Sequence, residues 1–191
     1  QAGAASPKGR PSSPAPAPDG LTVAVLPLSS PAAASALARM LASRLEALGS
    51  TLLLDAAGLD ARHGRPGVAE APTTGPLGLA VDVSLRELED RTRHIVLDAG
   101  SGGEAWRERC LRRADRVLLV ADAAADPSPG EIDARLAGMR LPARKELVLL
   151  HAAETTEPRG TAAWLAGRDL ADHHHVRPGN ARDEVRLARR L

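Results

Sequence analysis

The sequence predicts an α/β domain: a Rossmann-like, mostly parallel sheet with helices on its flanks. Three observations carry this. Five short apolar runs recur along the chain, at LTVAVLP (21–27), TLLLDA (51–56), HIVLDAG (94–100), RVLLVAD (116–122) and ELVLLHA (146–152). Each is nearly continuous in hydrophobicity, the pattern of strands covered on both faces. Segments with helical spacing lie between them, which is the order of βαβ units with right-handed crossovers. The length, 191 residues, suits one such domain and not two.

Taken in order, residues 1–20 (QAGAASPKGRPSSPAPAPDG) offer only alanine and proline as apolar side chains. They cannot offset their ordering entropy and are expected to form a disordered linker. Strands are expected near 21–27, 51–55, 94–98, 116–121 and 146–151. After the first, Ser30 is placed to cap a helix, Pro31 stands at its first position and Gly49 follows its end. Leu37, Met40, Leu41, Leu45 and Leu48 share one face of that helix. The stretch 57–93 is less regular. Residues 64–78 read as a mobile loop, and 83–93 as a short helix with Ser84 as cap and Leu85 and Leu88 inward. GEAWRERCLRRA (103–114) presents Trp106, Cys110 and Leu111 on one stripe. SPGEIDARLAGM (128–139) points Ile132, Leu136 and Met139 inward, and TAAWLAGR (161–168) is a shorter helix around Trp164. Residues 21–178 form the expected α/β domain. Residues 179–191 form a helix with Val185, Ala188 and Leu191 on one face, leading to a domain beyond this chain.

Composition limits the function classes. Lys+Arg 25 against Asp+Glu 24 leaves a net charge of +1, so no global field favours nucleic acid or an anionic membrane. Of the 25 cationic residues 23 are arginine, a codon-composition bias that lowers the weight of any single arginine. Trp106 and Trp164 are the whole aromatic complement, too few for base-stacking platforms. Cys110 stands alone, so neither an intramolecular disulfide nor a cysteine zinc cage can form within the chain. No apolar run approaches about 18 residues, the length that crosses a bilayer. The chain opens on Gln1 with no signal-peptide pattern and reads as a piece of something longer.

Asp55, Asp98 and Asp122 end predicted strands, at the edge where open α/β sheets bind ligands. Three converging carboxylates could hold Mg²⁺ and a nucleotide phosphate. The competing reading, capping and turn stabilisation, outweighs it. A phosphate cradle after the first strand needs glycines and a lysine, but Leu26-Pro27-Leu28-Ser29-Ser30-Pro31 has neither, and its prolines delete donors. Nucleotide binding of the P-loop kind is not expected. Asp98-Ala99-Gly100-Ser101-Gly102-Gly103 is the one glycine-rich turn after a strand, a weak candidate for anion binding. Ser101 resembles an elbow nucleophile only loosely, since Ala99 stands where glycine belongs and no base is identifiable. His173, His174 and His175 alternate across a strand, so at most two could share a metal, with His151 a conceivable partner. A short edge strand with packed and solvent-facing imidazoles is the stronger reading. Cys110 reads as inert packing. No catalytic, cofactor-binding or metal residue is assigned.

VLLVADAAADPSPGEI (117–132), ELVLLHAAETTEPRGTAAWLAGR (146–168) and ADHHHVRPGNARDEVRLARRL (171–191) together resemble one region of the patatin-like phospholipases related to neuropathy target esterase. The resemblance covers roughly residues 21–191. It implies cyclic-nucleotide-binding domains before this region and a patatin hydrolase domain after it, as partners in the same polypeptide. It also implies a phospholipid substrate handled by that hydrolase domain, and a cytoplasmic location peripheral to a membrane through the parent protein. The patatin Ser–Asp dyad lies in G-x-S-x-G and D-G-[GA]. The first motif does not occur here, and the single Asp-Gly, Asp19-Gly20, is in the linker. No catalytic residue carries over.

A second resemblance concerns fold. VAVLP, a helix, TLLLDA, then HIVLDAG and ADRVLLVAD look like the element order of partitioning ATPases with a deviant Walker A loop, Asp98 and Asp122 matching strand-end positions. Without glycine and lysine around Ser29, it implies a degenerate P-loop scaffold and not ATP hydrolysis. The expected function is thus a non-catalytic regulatory or scaffold domain of a patatin-like phospholipase. The alternatives are a standalone degenerate partitioning-type protein acting through protein contacts and, last, an independent hydrolase using Ser101.

Overall fold

A computed structural model describes residues 20–125, 143–155, 161–166 and 168–191. The linker 1–19 and the predicted helix 128–139, with Ile132, Leu136 and Met139, lie outside the described residues. The five apolar runs are strands β1 (Leu21–Pro27), β2 (Thr51–Leu54), β3 (His94–Asp98), β4 (Arg116–Asp122) and β5 (Arg144–Leu150). The histidine run supplies β6 (Asp172–Val176). Among the described residues the sheet has the order β2-β3-β1-β4-β5-β6, and each pairing is parallel. The five expected strands are joined by the short edge strand read for the histidine run.

Alternation along the strands divides the core into two faces. Val23, Val25, Val96, Leu118, Val120 and Val148 face one way, under α1 (Pro31–Glu46). Ala24, Leu26, Ile95, Leu97, Leu119 and Leu149 face the other, with Leu59, Val81, Leu85, Trp106 and Trp164. These last come from α2 (Ala56–His63), α3 (Pro76–Arg91), α4 (Glu104–Arg113) and α5 (Thr161–Leu165).

Helix α1 starts as its residues require, with the Ser30 hydroxyl accepting from Ala33 N at 3.3 Å and Pro31 following. It buries Ala34, Leu37, Ala38, Leu41 and Leu45. Leu48 lies past its end and is exposed, a departure from the expected stripe.

The stretch 57–93 departs further. Asp55 caps α2, accepting from Gly58 N at 2.6 Å, and Gly64 at φ 62° ends it. The segment 64–75, expected to be mobile, is packed: Val68, Ala69 and Ala71 are buried. Asp60 accepts from Gly67 N at 2.6 Å and Ala69 N at 2.8 Å, and these bonds hold its carboxyl below the usual range. Helix α3 begins at Pro76, seven residues before the expected start, and Ser84 sits inside it, donating to Ala80 O at 3.1 Å. A Cβ on the buried Gly78 would collide with the Pro72 carbonyl, so that glycine lets α3 close against the preceding segment.

The C-terminal helix α6 (Ala181–Arg190) is capped by the Asn180 side chain. Its buried face is Asp183, Glu184, Leu187 and Ala188, packed on the α1 side of the sheet. Of the expected stripe, Ala188 is buried and Leu191 packs against the same cluster, and only Val185 is displaced from it. Leu187 goes inward and Val185 does not, because the two acidic residues turn inward to meet arginines.

Candidate functional site

The carboxyl ends of the strands gather the residues that could carry chemistry. After β1, Leu28 N donates to Val120 O at 2.8 Å, and the Ser29 hydroxyl accepts from Asp122 N at 3.0 Å. With Ser30 capping α1, the polar groups of this loop serve the fold's own backbone. Asp122 in turn accepts from Ala124 N at 2.9 Å. Asp55 caps α2, and Asp98, which is buried, accepts from Gly100 N at 3.1 Å. The three strand-end aspartates therefore act as cap and turn residues.

The glycine-rich turn after β3 does hold an anion, and the anion belongs to the chain. Glu70, from the segment between α2 and α3, accepts from Gly103 N at 2.6 Å at the first turn of α4. A Cβ on Gly102 or Gly103 would lie 2.7 Å from a Glu70 carboxylate oxygen, so both glycines make room for it. Ser101 is engaged on both sides of its hydroxyl, donating to Asp98 O at 2.7 Å and accepting from Ala56 N at 3.0 Å. The Trp106 indole N–H donates to the same Asp98 carbonyl at 2.8 Å.

Arg109 secures the segment that carries Glu70. Fully buried, it donates to Ala69 O at 2.8 Å and Ala71 O at 3.0 Å and pairs with Asp82 Oδ1 at 3.2 Å. Neither Glu70 nor Arg109 was foreseen. In a chain with 23 arginines, a buried one carries no sequence signal apart from its place beside Trp106 and Cys110. Cys110 is buried, and that burial, with Asp98 second, pushes its thiol well above its ordinary value.

The histidines divide by face. His174 points to the α1 side and meets Glu146 at 2.8 Å, both buried. Glu146 also takes Arg116 at 2.8 Å and Arg144 at 3.0 Å. Burial opposes the charge on Glu146, but the His174 hydrogen bond and the Arg116 guanidinium outweigh it and hold the carboxyl below its usual range. On the other face His151 Nε2 and His175 Nδ1 stand 2.8 Å apart, and His173 meets His175 edge-on with ring centres 5.5 Å apart. Burial lowers both His151 and His175, assisted by Arg177 at the first and His151 at the second. One of the two facing nitrogens donates and the other accepts, so the contact excludes both rings being doubly protonated at once. Among the described residues no group of three or more His, Cys, Asp or Glu is arranged to hold a metal ion. The sheet edge beside His151 opens into a cleft of about 680 Å³ bordered by Ser30, Asp122, Thr155 and Pro178. Among the described residues no helix is long and apolar enough to cross a membrane.

Comparison with known proteins agrees with this geometry. Residues 20–191 match the Neuropathy Target Esterase family P-loop like domain. A lysophospholipase NTE1 of Yarrowia lipolytica is 36% identical over 169 residues, 86% of this chain and 11% of that protein. The rat patatin-like phospholipase domain-containing protein 7 is 31% identical over 153 residues, 80% of this chain and 11% of that protein. The human patatin-like phospholipase domain-containing protein 6 is 32% identical over 157 residues, 82% of this chain and again 11% of its own. The chain thus spans about a ninth of the length of these curated relatives. A crystal structure of a plasmid partition protein from Borrelia burgdorferi superposes with a TM-score of 0.60, covering 90% of this chain and 96% of that one. Its 13% identity shows the shared fold alone. A parallel six-stranded sheet in the P-loop-like mould, matched nearly end to end, places the chain in the neuropathy target esterase family, as its P-loop-like domain.

Proposed function

We propose that this domain is a non-catalytic regulatory or scaffold element of a patatin-like phospholipase, joining an upstream ligand-sensing region to a downstream lipid esterase. The observation that carries the reading is the internal use of the polar groups at the sheet's carboxyl edge. Ser29, Ser30, Asp55, Asp98, Ser101 and Asp122 each bond to the backbone. Glu70 fills the one turn suited to an anion. A catalytic or nucleotide-hydrolysing site needs such groups aimed at a ligand, with a base and an oxyanion or phosphate cradle. The lysophospholipase names of the relatives supply the parent's reaction class: hydrolysis of phospholipid esters by a serine hydrolase domain, whose motifs G-x-S-x-G and D-G-[GA] have no counterpart in the described domain. The neighbouring domains of the same polypeptide are then its partners.

The test is direct. Incubated with lysophosphatidylcholine, the chain should release no fatty acid, and calorimetric titration with Mg·ATP should give no heat of binding. Turnover that disappears in Ser101→Ala would overturn the reading in favour of an independent hydrolase. A tight Mg·ATP complex would overturn it in favour of an active nucleotide site.

A further inference from the structure

The outer face of α6 is a stripe of arginines with no acidic residue on it. Arg182, Arg186 and Arg189 recur at four- and three-residue spacing, with Val185 among them and Arg190 at the end. All four arginines are exposed. The acids of this helix are consumed on its inner side: Glu184 holds Arg44 at 2.6 Å, and Asp183 holds Arg177 at 2.7 Å. Asp183 reaches Arg186 only at 3.8 Å, and Asp172 reaches Arg190 only at 3.8 Å. Arg182 and Arg189 make no ion pair among the described residues. On a chain of net charge +1, this concentrates positive charge on one open helix ridge. Codon bias explains why these cations are arginine and not lysine. It does not explain why the helix turns its carboxylates inward and its guanidiniums outward.

We propose that this ridge is a docking surface for the anionic phospholipid headgroups of a membrane. The proposal rests on the family reading, since relatives named as lysophospholipases act on lipids, but it concerns the domain's own surface and not hydrolysis. Charge complementarity selects the partner. Guanidiniums bind phosphate and carboxylate oxygens in a two-pronged fork, and headgroups such as phosphatidylserine present both. A wide, open face fits an extended surface better than a small molecule. Both tryptophans are buried and the chain has no Phe or Tyr, so neither base stacking nor an aromatic interfacial belt contributes. Val185 alone offers a shallow apolar contact, so the association is electrostatic and salt-sensitive.

The experiment is sedimentation of the full chain with vesicles of phosphatidylcholine alone, or of phosphatidylcholine and phosphatidylserine at about three to one. Binding should occur on the mixed vesicles only and fall away as salt rises from about 0.1 M to about 0.5 M. The triple variant Arg182→Gln, Arg186→Gln, Arg189→Gln should lose at least about tenfold in partitioning. Arg62→Gln, Arg65→Gln, Arg91→Gln removes the same charge from other exposed positions and should leave binding near wild type. Should the first variant melt early, Arg182→Gln with Arg189→Gln, which breaks no ion pair among the described residues, carries the test. Equal binding to both vesicles, no binding to either, or equal losses in the two triple variants would overturn the proposal. So would displacement by inorganic phosphate at matched ionic strength, which marks a free-phosphate site. Binding of duplex DNA or polyglutamate in place of vesicles would also overturn it, assigning the ridge to a different macromolecule.

Discussion

The turns after β1 and β3 sit side by side, with Pro27 against Gly100, and they handle backbone donors in opposite ways. The first is built of prolines and serines. Its prolines lack donors, Leu28 N donates to Val120 O, and its serine hydroxyls accept from Asp122 N and Ala33 N. The second is rich in glycine: Asp98 takes Gly100 N and Ser101 N, and a carboxylate from another segment, Glu70, takes Gly103 N. A parallel sheet can therefore meet a glycine-rich turn with a carboxylate of its own chain. The first turn is tied to β4 and α1, whereas the second depends on a strap that must be held in place. That strap is held by Arg109.

The sharpest way to break the comparison is Arg109→Met. It leaves the buried carbonyls of Ala69 and Ala71 without a donor and Asp82 without its closest cation. Loss of one partner of a buried ionic cluster costs about 3–5 kcal/mol. Urea unfolding should show that loss, with hydrogen exchange accelerated over 64–75 and little changed at Leu28–Ser30.

Gly103→Ala comes next, because the new Cβ would press on the Glu70 carboxylate. Glu70 can swing aside, so the cost is that of its hydrogen bond to Gly103 N, about 0.5–1.5 kcal/mol. The cost should shrink in a Glu70→Ala background, since the collision partner is gone. An undiminished cost in the double variant would show that Glu70 is not what the turn is shaped around.

The smallest effect concerns the histidine end of the same edge. His151 and His175 are held below their ordinary values by burial, so the unfolded chain binds more protons than the folded one between the two. Their contribution is complete above the ordinary histidine value of about 6.5 and is lost as pH falls through the depressed values. Stability should decline on acidification from pH 7 to about 5, and His175→Asn should flatten that slope. A slope unchanged in His175→Asn would assign it to other groups.

Much of this was legible in the residues. Strands buried on both faces announce themselves as unbroken apolar runs, and Ser30-Pro31 marks the start of α1 as plainly as any cap. The missing glycine and lysine around Ser29 argued against a phosphate cradle; that the hydroxyls of Ser29 and Ser30 accept from Asp122 N and Ala33 N took the structure to see. Helix α3 was harder to see, because PLGLAVDV mixes a glycine and two β-branched valines into its first turns. Those residues weaken the helical signal, and the packing of Gly78 against Pro72 that rewards them is a tertiary fact. Val185 of α6 was misplaced for a related reason. Apolar spacing selected Val185, but the buried face is set by Asp183 and Glu184, whose partners Arg177 and Arg44 lie elsewhere in the fold. Glu70 and Arg109 left no trace at all. Surface-like residue types were recruited to the interior or to a turn by contacts separated by 33 to 40 residues.

Cys110 has a practical consequence. It is the chain's single thiol, it lies in the same helix as Arg109, and burial keeps it protonated at neutral pH. An alkylating reagent such as iodoacetamide can reach it only when α4 lifts from the sheet, and thiolate then forms at the rate set by that opening. Alkylation rates under native conditions therefore read out the opening free energy of this one helix against the rest of the domain. The protein carries its own clock for the motion that would release Glu70 from the turn, with no label to be introduced.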